Sequence, residues 1–209
     1  MGLSTALYVT VPEVKSEIDI PSTRADFDLS IQVTVESICR QIDDYTGHVF
    51  YSATGTRYYT PTESTRLRVD DLLTITTLRS DEDGNSSFET TWSTGDYYLA
   101  PFNATAHPTP HPYYEIITRQ NSTLTFPTDI QRSIEIVGIW GFNHTTAGPP
   151  AVIKKAALFQ AARDFKAKDA PFGIVGGRDF SQQVALAPGG GLHPFVKQML
   201  DPFRLRVVA

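Results

Sequence analysis

Two helical segments of this chain are separated by a long insert with the composition of β-strands, and this arrangement constrains the fold most. In the first segment, residues 21–45, apolar side chains recur at alternating steps of four and three, at Ile31, Val35, Ile38, Ile42 and Tyr45. That spacing is typical of one face of an α-helix, and Gly47 is well placed to end it. The second segment, residues 150–168, predicts a helix that ends before Pro171. The two helices must therefore meet across the insert.

A β-strand is the alternative for the first half of the segment 21–45. Strict alternation, which indicates a strand, is present at Phe27, Leu29, Ile31, Val33 and Val35. The helix is favoured because the four-and-three series continues to Tyr45. Ser22 or Thr23 is then expected to cap the helix.

Two short helices complete the helical part. Thr10 and Glu13 have the spacing of a capping box and predict a helix over residues 12–18. Pro194 fits the first turn of a last helix over residues 193–200. The tail, residues 201–209, alternates apolar and basic side chains and predicts an extended end.

The insert, residues 49–142, predicts an antiparallel β module. Short β-branched and aromatic runs mark its strands, at residues 56–59, 65–69, 72–79, 88–92, 96–99, 113–119 and 133–140. The Asp83-Gly84 pair predicts a tight hairpin. The fold class is therefore α+β: a small helical bundle framework with a large antiparallel β-rich insertion between its second and third main helices. We expect residues 1–48 and 143–209 to form the framework and residues 49–142 to form the inserted module.

The charge balance and the single cysteine exclude several classes. A net charge of −5 and a pI of about 5.5 give no overall basic field for nucleic acid, so any DNA contact is expected to be local. Cys39 lies inside the first helical segment, where it is expected to pack as a small apolar group. No apolar run approaches the ~20 residues that a membrane span requires. We expect a soluble protein with no membrane partner.

No residue pattern indicates catalysis, a metal or a cofactor. Asp81, Asp83 and Glu89 resemble a calcium loop, but the glycine and the glutamate come too early for an EF-hand. His107 and His111 are four residues apart, and the prolines between them rule out the helix that would align them. A non-enzymatic protein without cofactor or metal is predicted.

The helix over residues 150–168 predicts a contact surface. At 100° per residue its apolar side chains surround most of the circumference, while Lys155, Arg163 and Lys166 share one arc beside Phe159. We expect these four residues to lie at a subunit boundary or a channel wall. The alternative is that the alanines only reflect helix propensity.

Taken together, these segments resemble a known family. The features that carry the resemblance are residues 8–15 (YVTVPEVK), 38–50 (ICRQIDDYTGHVF), 67–78 (LRVDDLLTITTL), 162–173 (ARDFKAKDAPFG) and 200–204 (LDPFR). They are similar to the head-tail connector, or adaptor, proteins of long-tailed double-stranded DNA bacteriophages.

The resemblance implies a structural subunit of a twelve-fold ring below the portal of a filled capsid. The ring extends the DNA channel and docks a stopper or tail completion protein. The implied partners are the portal protein, the stopper or tail protein, further copies of the chain and passing double-stranded DNA without sequence specificity. The implied location is the head-tail junction of the virion, after assembly in the host cytoplasm.

The tail is the expected portal contact, because the end of an adaptor reaches into the portal. The residues concerned are Phe203, Arg204, Leu205, Arg206, Val207 and Val208. A free, alternating end can add as a strand to a partner's sheet.

Two other functions are compatible with the sequence. Tyrosines and tryptophans of the insert could form a carbohydrate- or surface-binding β module, although aromatic residues in strands more often pack across strands. The chain could also be another capsid or tail subunit.

Overall fold

The computed structural model describes residues 7–106, 110–143, 148–167 and 191–205. The chain divides into two compact units, which we call the helical unit (Met1–His48 with Pro149–Ala209) and the β unit (Val49–Gly148). The helices and the antiparallel sheet confirm the predicted α+β class. Within the described ranges, no helix is long and apolar enough to cross a membrane.

The helical unit contains α1 (Val11–Glu17), α2 (Asp28–Thr46), α3 (Ala151–Ala167) and α4 (Pro194–Leu200). Thr10 caps α1, and its backbone N–H donates to the Glu13 carboxylate at 2.8 Å, as the capping box predicts. His193 caps α4 and accepts from the Phe195 N–H. α2 ends at Gly47, whose φ of 77° is left-handed, so the predicted glycine stop is confirmed.

The start of α2 differs from the prediction. Neither Ser22 nor Thr23 caps it; a 3-10 turn, Ala25–Phe27, leads directly into Asp28. The reason lies in Lys15, which is 2% exposed and donates through Nζ to the carbonyls of Ser22 and Arg24. The chain before the helix is therefore held by a lysine from α1. The helix itself is continuous, so the strand alternative is wrong.

One face of each long helix forms the core of the helical unit. The buried residues of α2 are Ile31, Val35, Ile38, Cys39, Ile42 and Thr46, and those of α3 are Ile153, Ala156, Ala157, Gln160, Ala161 and Phe165. Phe27 meets Phe165 edge to face at 5.6 Å, so the start of α2 lies beside the end of α3. The two helices pack together, and the contact between the start of one and the end of the other indicates that they run in opposite directions. Burial raises the pKa of the Cys39 thiol, and the expected apolar role of this residue agrees with its full burial.

The β unit is built on one six-stranded antiparallel sheet. Its strands are β1 (Ala53–Tyr59), β2 (Arg66–Ser80), β3 (Thr90–Trp92), β4 (Tyr97–Ala100), β5 (Tyr113–Thr118) and β6 (Ile134–Trp140). The order is β1-β6-β2-β5-β4, and β3 pairs with the end of β2. Leu72, Leu78, Ile116, Ile134 and Ile136 are fully buried in its core, where Trp92 stacks on Phe126 at 4.7 Å.

Two predicted strands are in fact one. Residues 65–69 and 72–79 belong to the long strand β2, whose register shifts between Arg68 and Leu72. The first half pairs with β5 and the second half with β6. A bulge lets the strand bend without ending, so the polar Asp70-Asp71 pair does not mark a turn.

The hairpin at Asp83-Gly84 is confirmed, because β2 and β3 pair antiparallel and Gly84 has a φ of 77°, but the prediction that it is tight is wrong. β2 ends at Ser80 and β3 begins at Thr90, which leaves a long loop. The buried Asp81 carboxylate accepts the backbone N–H groups of Gly84 and Ser86, each at 2.8 Å. A side chain therefore organises this loop where a two-residue turn was expected.

Candidate interface surfaces

The four predicted contact residues of α3 lie along one side of the helix. Lys155, Phe159 and Lys166 are exposed, and the Arg163 side chain is about one-fifth exposed at 21%. Lys155, Phe159 and Lys166 face away from the buried residues of α3, whereas Arg163 lies at the border of the buried face. We call these four residues the α3 stripe. The helix is buried on one face within the chain.

Phe159 is the apolar centre of the α3 stripe. It is 39% exposed, and its ring lies 5.3 Å from that of Phe195 in α4 and 5.8 Å from that of His193. Phe195 is itself 47% exposed. Two aromatic rings from neighbouring helices therefore form a joint apolar surface flanked by lysines.

The position of α4 against α3 depends on a buried glutamine. Gln160 is 1% exposed; its Oε1 accepts the His193 N–H at 2.9 Å, and its Nε2 donates to the Asp164 carboxylate. Buried polar groups need such partners. Gln160 thereby fixes the start of α4, and with it Phe195, beside Phe159.

A second exposed stripe on α2 was missed by the sequence reasoning. Leu29 is 67% exposed and Val33 is 53% exposed, one turn apart on the side opposite the buried face. Asp26 lies one turn before Leu29 and Glu36 one turn after Val33, and the Asp26 side chain is 76% exposed. We call these four residues the α2 stripe. Their signal was the strict alternation at residues 27–35, which a helix with apolar residues on two sides also produces.

The C-terminal segment returns to the end of α2. Asp201–Phe203 forms a 3-10 turn, which corrects the expected extended chain at these residues, and Arg204 after it has extended backbone angles. The Leu205 N–H donates to the Thr46 carbonyl at 2.8 Å, and the Arg204 guanidinium lies 5.0 Å from the centre of the Tyr45 ring. Among the expected portal contacts, Phe203, Arg204 and Leu205 are thus placed, and Arg206, Val207 and Val208 lie outside the described residues.

The carboxylates of Asp81, Asp83 and Glu89 come within 4.8 Å of one another. Asp81 is 3% exposed and already engaged by backbone N–H groups. Burial raises its pKa, but these N–H groups outweigh burial and hold the pKa below the ordinary aspartate range. The cluster therefore has a structural role: it stabilises the loop between β2 and β3.

The aromatic residues of the β unit are divided between core and surface. Trp92, Trp140 and Tyr97 are less than a tenth exposed and pack in the core. Tyr98 is 44% exposed, but the Arg119 guanidinium lies 4.0 Å from the centre of its ring. An open cleft of about 400 Å³ beside β4 has Tyr98 and Arg119 in its wall. Much of the aromatic content therefore serves cross-strand packing.

No family model and no curated protein matches the chain. Solved structures of a gene transfer agent (GTA) particle contain chains that match it in fold. A chain in the neck of the empty GTA particle, computed with C6 symmetry, is 19% identical with a TM-score of 0.60, covering 100% of this chain and 97% of that one. A chain in the virion of the native GTA particle is 18% identical with a TM-score of 0.58 over 100% and 97%. A chain in the neck of the native GTA particle, computed with C12 symmetry, is 18% identical with a TM-score of 0.55 over 100% and 98%.

These similarities establish a shared fold over all of this chain and 97–98% of the GTA chains. The inserted β unit is included, because this chain is covered completely. The insert is therefore part of a fold that occurs in the GTA particle.

Proposed function

We propose that this chain is a structural head-tail connector subunit that forms a ring below a phage portal, extends the DNA channel and docks the stopper or tail. The observation that carries this proposal is the full-length similarity in fold to neck chains of a phage-like particle. Two pairs of adjacent exposed apolar side chains support it, Leu29 with Val33 on α2 and Phe159 with Phe195 beside α3, because contiguous exposed apolar patches mark interaction sites.

The charge of the chain suits a DNA channel. Binding through many phosphates makes a protein adhere to duplex DNA. A chain with a net charge of −5 avoids such adhesion, so DNA can slide past it without sequence specificity. Lys155, Arg163 and Lys166 are local positive positions, and we assign them with Phe159 to a subunit boundary or to the channel wall.

We assign the portal contact to the C-terminal segment from Phe203 to Val208. Arg204 and Leu205 already contact α2, so removing them would disturb the helical unit as well. Deletion of residues 206–209 spares both contacts. We expect the shortened protein to fold normally and to lose co-purification with the portal; normal portal binding would refute this assignment.

Imaging tests the function as a whole. Negative-stain images of the purified protein, with and without its portal, should show rings that stack on the portal. Isolated particles that do not bind the portal but bind a glycan array would contradict the connector function and favour the carbohydrate-binding alternative.

We further propose that the β unit is a separable insert. Its two connections, at residues 48–49 and 148–149, coincide with the boundary between the compact units. Replacing residues 51–143 by a short Gly/Ser linker should retain the helical circular dichroism and portal binding. An insoluble or unfolded product would mean that the helical unit depends on the sheet.

A further inference from the structure

The α2 stripe and the α3 stripe have complementary chemistry. The α2 stripe offers Leu29 and Val33 between the acidic Asp26 and Glu36. The α3 stripe offers Phe159, next to Phe195, between the basic Lys155 and Lys166. Each stripe thus has an apolar centre with charges at both ends, and these charges have opposite signs on the two stripes. Asp26 also pairs with Arg24 at 3.6 Å, and this pair is exposed on both sides, so a docking lysine can replace it at little cost.

The spacings also agree. Asp26, in the 3-10 turn that leads into α2, lies seven residues before Val33, and Glu36 lies three residues after Val33. On α3, Lys166 and Phe159 are seven residues apart, and Lys155 lies four residues earlier. Residues three or four apart differ by about one helical turn. An antiparallel alignment therefore pairs Asp26 with Lys166, Val33 with Phe159 and Glu36 with Lys155.

Ring symmetry requires the same antiparallel direction. Within one copy, α2 and α3 run in opposite directions, as the Phe27–Phe165 contact indicates. A twelve-fold ring turns each copy by only about 30° relative to the next. Helices of neighbouring copies therefore keep nearly the relative direction they have within a copy, and α2 of one copy meets α3 of the next in an antiparallel pair.

We propose that the α2 stripe of one copy docks on the α3 stripe and Phe195 of a second copy, in a head-to-tail contact that closes the ring. The inference rests on the proposed connector function and names the surfaces of its self-association. The two stripes lie on the solvent sides of two helices that share one core, so one copy can engage two neighbours at once. Such a heterologous contact forms rings when its rotation closes.

Two reciprocal charge reversals test the contact. Asp26→Lys reverses one charge of the α2 stripe and Lys166→Asp reverses its proposed partner on the α3 stripe, so in either variant alone positions 26 and 166 carry like charges at every interface. An equal mixture of the variants restores opposite charges at these two positions in all interfaces of an alternating ring. We expect each variant alone to lose self-association about tenfold, and the mixture to return to within about threefold of wild type.

Sedimentation velocity over a range of concentrations, with and without portal, provides the readout. Glu82→Lys, an exposed acidic position in the loop between β2 and β3, makes the same charge change away from both stripes and should leave assembly unchanged. Circular dichroism verifies that all variants fold, and Leu29→Glu probes the apolar centre independently of the charge pairs.

The outcomes separate this inference from the proposed function. If wild type assembles on the portal while both reversals and Leu29→Glu assemble equally well, the connector function stands and this contact is wrong. If the reversals behave as expected but no assembly binds portal, the contact stands and the connector function fails. A wild-type protein that stays monomeric under all conditions, or a mixture that fails to restore assembly, overturns the inference.

Discussion

Lys15 is the most informative single position for the stability of the helical unit. Its side chain is 3% exposed, and its Nζ donates to the Arg24 carbonyl at 2.6 Å and the Ser22 carbonyl at 3.3 Å. It also pairs with Asp28, whose side chain is 48% exposed. One buried charge thereby joins α1 to the segment that precedes α2.

Lys15→Met keeps the apolar stem and removes the charge. A hydrogen bond from a charged donor contributes about 1.5–3 kcal/mol, and the longer of the two bonds contributes less. Ser22 and Arg24 lie in an exposed segment that can shift to hydrate their carbonyls in the variant, and the pair with the half-exposed Asp28 adds under about 1 kcal/mol. We expect the free energy of unfolding to fall by about 2 kcal/mol.

Lys154→Met is the matched control. Lys154 of α3 pairs with Glu13 of α1, the helix that also contains Lys15, but the side chains of Lys154 and Glu13 are substantially exposed, at 46% and 36%. An exposed pair contributes about 0.2–1 kcal/mol. Urea unfolding followed by circular dichroism, with hydrogen exchange of the amides around residues 22–28, compares the two variants. If Lys15→Met is no more destabilising than Lys154→Met, the assigned role of Lys15 is refuted.

Two further predictions concern the β unit. Gly141→Ala should destabilise it by roughly 3 kcal/mol, because the φ of Gly141 is 128° and a Cβ there would lie 2.0 Å from the Tyr51 carbonyl oxygen. Gly55→Ala is the control: a Cβ at Gly55 has its nearest neighbour at 3.8 Å, so this variant should have little effect in the same thermal melt. Hydrogen bonds from the Ser93 side chain and backbone hold the pKa of Asp96 below the ordinary range, so its stabilisation is present above the unfolded pKa and is lost as pH falls through the folded pKa. The stability difference between wild type and Asp96→Asn should therefore shrink in acid, and a difference independent of pH would contradict this.

The helices were predictable because their signals are local. The capping box at Thr10 and the glycine at position 47 act on adjacent residues. The start of α2 was not predictable, since Lys15 reaches it from another helix. The local preference for Ser22 or Thr23 as a helix cap is overridden, because the contact with Lys15 already holds the carbonyls of this segment.

In the sheet, too, the features with local signals were predictable and those that depend on distant contacts were not. Strand positions followed from β-branched runs, whereas the joining of residues 65–69 and 72–79 into β2 depends on pairing with two different partners, β5 and β6. The loop at Asp83-Gly84 depends on the burial of Asp81. Long-range pairing and side-chain burial are therefore the information that the local pattern lacks.

The α3 stripe was found in the sequence because basic residues mark it, while the α2 stripe was obscured by its apolar alternation. Leu29 and Val33 alternate with the buried Ile31 and Val35. In a helix this pattern places apolar residues on two opposite sides. The feature that suggested a strand is thus the feature that indicates a second contact face.

Two exposed faces have a thermodynamic consequence. If assembly covers the α2 and α3 stripes, it stabilises the folded subunit by mass action, so the unfolding midpoint should rise with protein concentration. Asp26→Lys weakens self-association about tenfold without touching the core, so the rise of its midpoint should begin at about tenfold higher protein concentration than in wild type. Lys15→Met should lower the midpoint at every concentration and keep the slope. Thermal melts of the three proteins over roughly a hundredfold range of protein concentration measure these midpoints. A wild-type midpoint that does not move would show that the stripes stay exposed in the free protein.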